Sequence, residues 1–141
     1  ALAAILLTRA YDDRMYRAQR QGKTSFYMKC TGEEAIAVGQ AIALSRDDML
    51  FPTYRQQGLL IAREWPLVDM MCQVDSNSRD RLTGRQMPVF YSSKQEGFFS
   101  FTGNLGTQFS QSVATTISPP DGPKMTLVSV CKSQRGGTIP S

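Results

Sequence analysis

The sequence predicts an α/β fold, a parallel sheet flanked by helices. Three apolar runs carry that expectation: Met49-Leu50-Phe51, Gly97-Phe98-Phe99-Ser100-Phe101 and Met125 to Cys131. Each has the length and composition of a buried strand. The first two are followed by a turn and then a helix-forming segment, the order that builds parallel sheets. A chain of 141 residues with 41% hydrophobic content can bury one core, so one domain or part of one is expected.

In chain order, Leu2 to about Arg20 reads as a helix of good formers, with Leu2, Ile5, Leu6 and Ala10 on one face. Gly22 in Gln21-Gly22-Lys23 is a natural cap. Thr24 to Lys29 is aromatic and extended in character. Thr31-Gly32-Glu33-Glu34 has the form of a capping box, Thr31 accepting from the Glu34 N–H while the Glu34 carboxylate reaches back. The helix it starts, to about Ser45, carries Ala35, Val38, Gly39 and Ile42, small enough for close packing. After the run at Met49, Pro52 closes the ladder because it has no N–H.

A third helix is expected from about Gln56 to Glu64, interrupted by Trp65-Pro66. Leu67, Met70, Met71 and Val74 then form the i, i+3, i+4, i+7 stripe of a buried face, so these methionines read as core. Asp75 to Ser78 stops that helix. The stretch 77–97 shows no periodicity and contains Arg79, Arg81, Arg85 and Lys94. Loops of that length in compact domains are usually functional or mobile. A short helix is expected from Thr107 to about Ile117.

Composition removes several classes of function. Net charge is +4, 16 basic minus 12 acidic residues, and the basic residues are scattered apart from Arg14, Arg17, Arg20 and Lys23. That spacing describes a solvated helix face, not a nucleic-acid footprint. An anion- or nucleic-acid-binding protein using the Arg-rich loop is the remote alternative. Cys30, Cys72 and Cys131 are odd in number and form no CxxC pair, which suggests reduced thiols inside a cell. The chain has no histidine, so His-containing metal sites and the Ser-His-Asp arrangement are excluded. The apolar start, Ala1 to Leu7, is too short to span a membrane and lacks the preceding basic flank of a signal peptide.

Two strand-to-helix turns carry the candidate chemistry. Tyr54 and Arg55 lie just past the first strand, on the carboxyl edge where parallel sheets bind ligands. A phenol beside a guanidinium offers a neutral donor and a charged fork suited to phosphate oxygens; an exposed loop pair is the other reading. The second turn, Thr102-Gly103-Asn104-Leu105-Gly106-Thr107-Gln108, has two glycines that permit positive φ and close backbone approach. Its carbonyls, hydroxyl and amide include no carboxylate, which suits a cation such as K+ and not Mg2+ or Ca2+. A glycine-rich turn capped by Thr107 is the alternative.

These strings, in order, resemble the alpha subunit of thiamine-diphosphate-dependent branched-chain 2-oxo acid dehydrogenase, the E1 component of a multienzyme complex. The resemblance covers about residues 1–117. It rests on Arg20-Gln21-Gly22, Phe26-Tyr27-Met28, Gly32-Glu33-Glu34-Ala35, Phe51-Pro52-Thr53-Tyr54-Arg55, Gly84-Arg85-Gln86-Met87-Pro88, and Leu105 with Thr107-Gln108. The pyruvate-type alpha subunits share the architecture and are an alternative, but the last two strings look more like the branched-chain type. What the resemblance implies is a thiamine-diphosphate-binding fold, incomplete here, in an enzyme that decarboxylates branched 2-oxo acids such as 3-methyl-2-oxobutanoate and passes the acyl group to lipoamide. It places the diphosphate on Tyr54 and Arg55 and the aminopyrimidine side on Gly103 and Leu105. It places potassium on the carbonyls of Thr102 and Asn104 with Thr107 and Gln108. The implied partners are a beta subunit, in an alpha2beta2 assembly, and a lipoyl-bearing E2, with no nucleic acid or membrane. The implied location is a bacterial cytoplasm or the mitochondrial matrix.

Residues 118–141 depart from that pattern. The family continues into a strand ending in Gly-Asp-Gly with a nearby acid and an Asn, which hold Mg2+ and the diphosphate. Here Pro119-Pro120-Asp121-Gly122-Pro123 stops the helix, and Lys132-Ser133-Gln134-Arg135-Gly136-Gly137 follows the last apolar run without a carboxylate. Thr102, Gly103 and Asn104 stand where Ser, Ser and Pro are more usual; backbone ligation tolerates such changes. The expectation is an N-terminal portion of the subunit with an aberrant end, inactive by itself. A non-catalytic subunit-interaction module is the further alternative.

Overall fold

A computed structural model of the chain describes residues 1–116. The expected strand at Met125 to Cys131, the departure after residue 117 and the helix end at Ile117 lie outside the described residues. Among the described residues there are five helices: α1 Leu2–Arg20, α2 Glu34–Ala43, α3 Gln57–Ala62, α4 Leu67–Asp75 and α5 Thr107–Thr116. The first three pack together. None of the described helices is long and apolar enough to cross a membrane.

α1 ends as expected. Gly22 has φ +71°, and the Gln21, Gly22 and Lys23 N–H groups return to the Arg17, Gln19 and Ala18 carbonyls at 3.0, 2.9 and 3.0 Å. Its buried face, however, is Thr8, Tyr11, Asp12 and Met15, and Leu2, Leu6 and Leu7 are exposed. Burial follows what the face can bond to: the Tyr11 hydroxyl lies 3.2 Å from that of Tyr91, and Asp12 accepts from the Tyr27 hydroxyl at 2.6 Å. The four basic residues Arg14, Arg17, Arg20 and Lys23 are solvated, as their spacing suggests.

The expected capping box is not formed. Gly32, at φ +95°, turns the chain so that the Glu33 N–H reaches the Cys30 carbonyl and α2 begins only at Glu34. Thr31 is therefore left outside the first turn and exposed. Glu34 does reach back, its Oε2 accepting from the Gly32 N–H at 2.7 Å while Oε1 accepts from Arg9 Nε at 3.1 Å. Burial raises the Glu34 carboxyl, but its own N–H, the Gly32 N–H and Arg9 outweigh that and hold it below its ordinary value. Ala37 and Val38 point inward, whereas Ala35, Gly39 and Ile42 are exposed. The tight approach lies instead at Gly58 of α3, where a Cβ would stand 3.3 Å from the Ala37 Cβ and 3.5 Å from Thr8 Oγ1.

α4 carries the expected stripe: Met70 and Val74 are fully buried, Leu67 and Met71 pack against them, and Ser76 ends the helix in the left-handed region. The stretch 77–97 forms no helix or strand, but side chains fold it. Asp80 accepts from the Leu82 and Gly84 N–H groups at 3.0 and 2.8 Å. Buried Gln73 donates to the Met87 carbonyl at 2.8 Å and accepts from the Val89 N–H at 3.0 Å.

Strand pairing among the described residues is limited to isolated bridges, so the chain is mostly helical where a fuller sheet was expected. Leu50 and Phe98 pair in parallel, the Leu50 N–H donating to the Gly97 carbonyl at 2.7 Å and the Phe99 N–H to Leu50 at 2.9 Å. Phe98 also pairs antiparallel with Ser93. Pro52 does not close the ladder: Thr53 pairs in parallel with Thr102. The missing Pro52 N–H interrupts the pairing only locally. Phe98 and Phe101 lie in the core with Trp65 and Tyr91, at ring separations of 5.4 to 6.5 Å.

Arg63, 4% exposed, fastens this arrangement. Nη2 donates to the Ser45 carbonyl at 2.6 Å, and Nη1 lies 3.2 Å from the Asp48 carbonyl and 3.5 Å from that of Glu96. One guanidinium thus ties together the approaches to both paired segments while stacking over Phe98 at 5.7 Å. Arg63→Met would remove the guanidinium donor from those carbonyls, each bond to the charged group worth about 1.5–3 kcal/mol. The expected result in urea unfolding is a loss of about 3 kcal/mol, and a loss indistinguishable from zero would remove Arg63 from this role.

Candidate functional site

The parallel bridge between Thr53 and Thr102 decides the geometry. Parallel neighbours lie about 4.8 Å apart and run in the same direction. Tyr54 and Gly103 are therefore each one residue past the paired position, and the two turns open side by side at the same edge. Residues 49 positions apart in sequence (102 − 53) meet there.

In the first turn, Tyr54 and Arg55 are partly buried, and the guanidinium lies over the Tyr54 ring at 5.6 Å. Arg55 Nη1 donates to the Lys29 carbonyl at 2.8 Å. Guanidinium has five N–H donors, and that bond uses one of them. Burial pushes the Glu33 carboxyl up, offset in part by the Arg55 charge. Behind the turn, buried Gln56 accepts from the Thr53 N–H at 2.8 Å, and buried Gln57 donates to the Met28 carbonyl at 2.8 Å. The turn is thus built on side chains that grip backbone.

The second turn is closed by its own oxygens. Thr102 and Thr107 hydroxyls are 3.1 Å apart, and Thr107 Oγ1 donates to the Asn104 carbonyl at 2.9 Å. Buried Gln108 donates Nε2 to Thr102 Oγ1 at 2.6 Å and accepts from the Gly106 N–H at 3.1 Å. Thr102, Asn104, Thr107 and Gln108 therefore converge, with neutral oxygens and no carboxylate. Among the described residues no group of three His, Cys, Asp or Glu side chains could hold a metal. The donor set fits a monovalent cation taken up in place of the mutual hydrogen bonds, and it does not fit Mg2+.

The glycines differ from expectation in one respect. Gly106 has φ +88°, whereas Gly103 is outside the positive-φ region. Gly103 matters for space: a Cβ there would touch the Phe90 ring at 3.4 Å. Leu105 is 63% exposed, its side chain free to meet a ligand or another surface. Lys29, Gln56, Gln57 and Phe90 were not singled out in the sequence. Their contacts link segments far apart in the chain, and no local spacing announces them.

With this geometry in view, the chain belongs to the dehydrogenase E1 component family, whose model matches residues 3–126. It is 62% identical over 112 residues to the 2-oxoisovalerate dehydrogenase subunit alpha of Pseudomonas aeruginosa, a match covering 79% of this chain and 27% of that relative. It is 42% identical over 115 residues to the mitochondrial 2-oxoisovalerate dehydrogenase subunit alpha of Mus musculus, covering 82% and 26%. The mitochondrial subunit alpha 2 of Arabidopsis thaliana is 40% identical over 107 residues, covering 76% and 23%. The chain spans about a quarter of the length of the curated relatives it matches.

Proposed function

We propose that this stretch is the part of a branched-chain 2-oxo acid dehydrogenase E1 alpha subunit that receives thiamine diphosphate. The observation that carries the reading is the Thr53–Thr102 pairing, which sets the Tyr54-Arg55 turn beside the glycine-rich turn. The names of the relatives, 2-oxoisovalerate dehydrogenase subunit alpha, support the substrate class, branched 2-oxo acids such as 3-methyl-2-oxobutanoate; in this reading the acyl group passes to lipoamide.

In this reading Tyr54 and Arg55 hold the diphosphate. Gly103 and Leu105 meet the aminopyrimidine side, the first by giving backbone room and the second by apolar contact. Thr102 and Asn104 carbonyls, with Thr107 and Gln108, hold potassium and so order the turn. Bound thiamine diphosphate supplies the carbanion chemistry; the residues here bind and orient it. The described residues provide no carboxylate group for Mg2+, so no role for that ion is drawn from them. A beta subunit completes the site, and a lipoyl-bearing E2 takes the acyl group. A bacterial cytoplasm or mitochondrial matrix is the setting such an assembly implies. Exposed Leu105, Phe109 and Val113 along the second turn and α5 suit a face covered in that assembly.

Two tests separate the parts of this reading in the complete subunit carrying this stretch, assembled with its beta subunit. Arg55→Ala is expected to weaken thiamine diphosphate binding by about 2–3 kcal/mol in a calorimetric titration, the scale of a hydrogen-bonded charge. Unchanged affinity would remove Arg55 from the diphosphate site. For the second turn, thermal unfolding at equal ionic strength is expected at a higher midpoint in K+ than in Na+, because only a ligand of the folded state moves it. Gln108→Leu should erase the difference, and equal midpoints before mutation would leave the turn a capped loop.

A further inference from the structure

A buried carboxylate lies behind the diphosphate turn, and neither the motifs nor the relatives assign it a role. Asp12 on α1 is 1% exposed. Its Oδ1 accepts from the Tyr27 hydroxyl at 2.6 Å, and its Oδ2 accepts from the Cys30 N–H at 2.8 Å and the Cys30 thiol at 3.3 Å. Burial raises the Asp12 carboxyl, and those donors, with the more distant Lys29 charge, oppose the rise. Burial also pushes the Tyr27 phenol and Cys30 thiol well above their ordinary values, so both stay protonated donors at neutral pH. Bonds to a carboxyl group so enclosed contribute little net stability, since desolvation offsets them. What it does supply is direction, because it fixes three donors of one short segment.

That segment faces the turn on its other side. The Met28 carbonyl accepts from Gln57 Nε2 at 2.8 Å, and the Lys29 carbonyl accepts from Arg55 Nη1 at 2.8 Å. The Gly58 N–H, near the Cys30 sulfur, opposes the rise of the thiol. Consecutive residues 28 and 29 thus grip residues 57 and 55, while Asp12 holds residue 30 of the same segment from behind. Among the described residues the Lys29 carbonyl is the hydrogen-bond acceptor of Arg55, beside the Tyr54 ring at 5.6 Å and the Glu33 charge, so the direction of the fork depends in part on where that carbonyl is held.

We propose that Asp12, acting through Cys30 and the Lys29 carbonyl, is a positioning residue that aims the Arg55 guanidinium at the diphosphate. This rests on the reading that Arg55 binds the diphosphate. Without Asp12 the segment can relax, the Lys29 carbonyl moves, and the fork loses its alignment. A group on α1 with no route to the cofactor then influences its phosphate end and not its ring end.

The test is calorimetric titration of the complete subunit with its beta subunit, using thiamine diphosphate and thiamine as the two probes. Asp12→Asn keeps shape and polarity. Thiamine diphosphate affinity should fall about tenfold, the equivalent of one well-made charged hydrogen bond, with thiamine affinity changed less than about twofold. In an Arg55→Ala background, Asp12→Asn should cause no further loss, since coupled residues are non-additive. Cys30→Ala, which removes the thiol bond to Asp12, should show the same selective loss, and Cys30→Ser should restore it; this pair decides the matter should Asp12→Asn not fold. Equal weakening of both probes, or full additivity with Arg55→Ala, overturns the positioning role while leaving the diphosphate site standing. A normal affinity in Arg55→Ala alone overturns the site reading, and this inference with it.

Discussion

The parallel register of Leu50 on Phe98 and Thr53 on Thr102 is the constraint on which the candidate site depends. A slip of one residue would turn every side chain of one segment to the other face. It would bury Phe99, which is 38% exposed, and expel Phe98, which is 1% exposed. That difference in apolar burial locks the register. Two further contacts reinforce it: Phe51 stacks on Phe99 at 5.1 Å, and Arg63 binds the carbonyls that lead into both segments. The turns at 54–55 and 102–108 then have no freedom to separate.

Regular sheet hydrogen bonding is sparse in the described residues, and buried polar side chains take its place. Asp12, Gln56, Gln57, Arg63, Gln73, Asp80 and Gln108 are each under 5% exposed, and each bonds backbone or a neighbouring side chain. Backbone outside helices and strands must still be satisfied when buried. Side chains of the helices, of their flanking residues and of Asp80 within the stretch do that here, which is how 77–97 folds without periodicity. Val89 illustrates the force of these bonds. A β-branched residue at φ +68° is strained, yet its N–H is held by Gln73 and its side chain is fully buried. The next residue, Phe90, thereby comes to rest against Gly103.

Much of this could be read from sequence, and the failures have physical causes. α1 and α4 follow from helix formers, Gly22 and the Leu67-to-Val74 stripe, all of them local signals. The buried face of α1 was misjudged because Thr8 and Asp12 are polar: Thr8 satisfies its hydroxyl on the Ala4 carbonyl one turn back, and the distant Tyr27 and Cys30 make Asp12 interior. The Thr31 cap failed because Gly32 redirected the chain before α2. The two turns were identifiable from their residue types and from the family resemblance. Their juxtaposition rests on a bridge between segments half the described chain apart. Their support, Asp12, Cys30, the Lys29 carbonyl and Gln57, has no local signature at all.

The central claim is that the turns at 54–55 and 102–108 form one site. Hydrogen–deuterium exchange of the assembled complete subunit, with and without thiamine diphosphate, tests it most directly. The account expects peptides spanning 53–58 and 102–108 to gain protection together, at the same ligand concentration, with the α4 peptide unchanged. Protection of one turn without the other, or of neither, would contradict it.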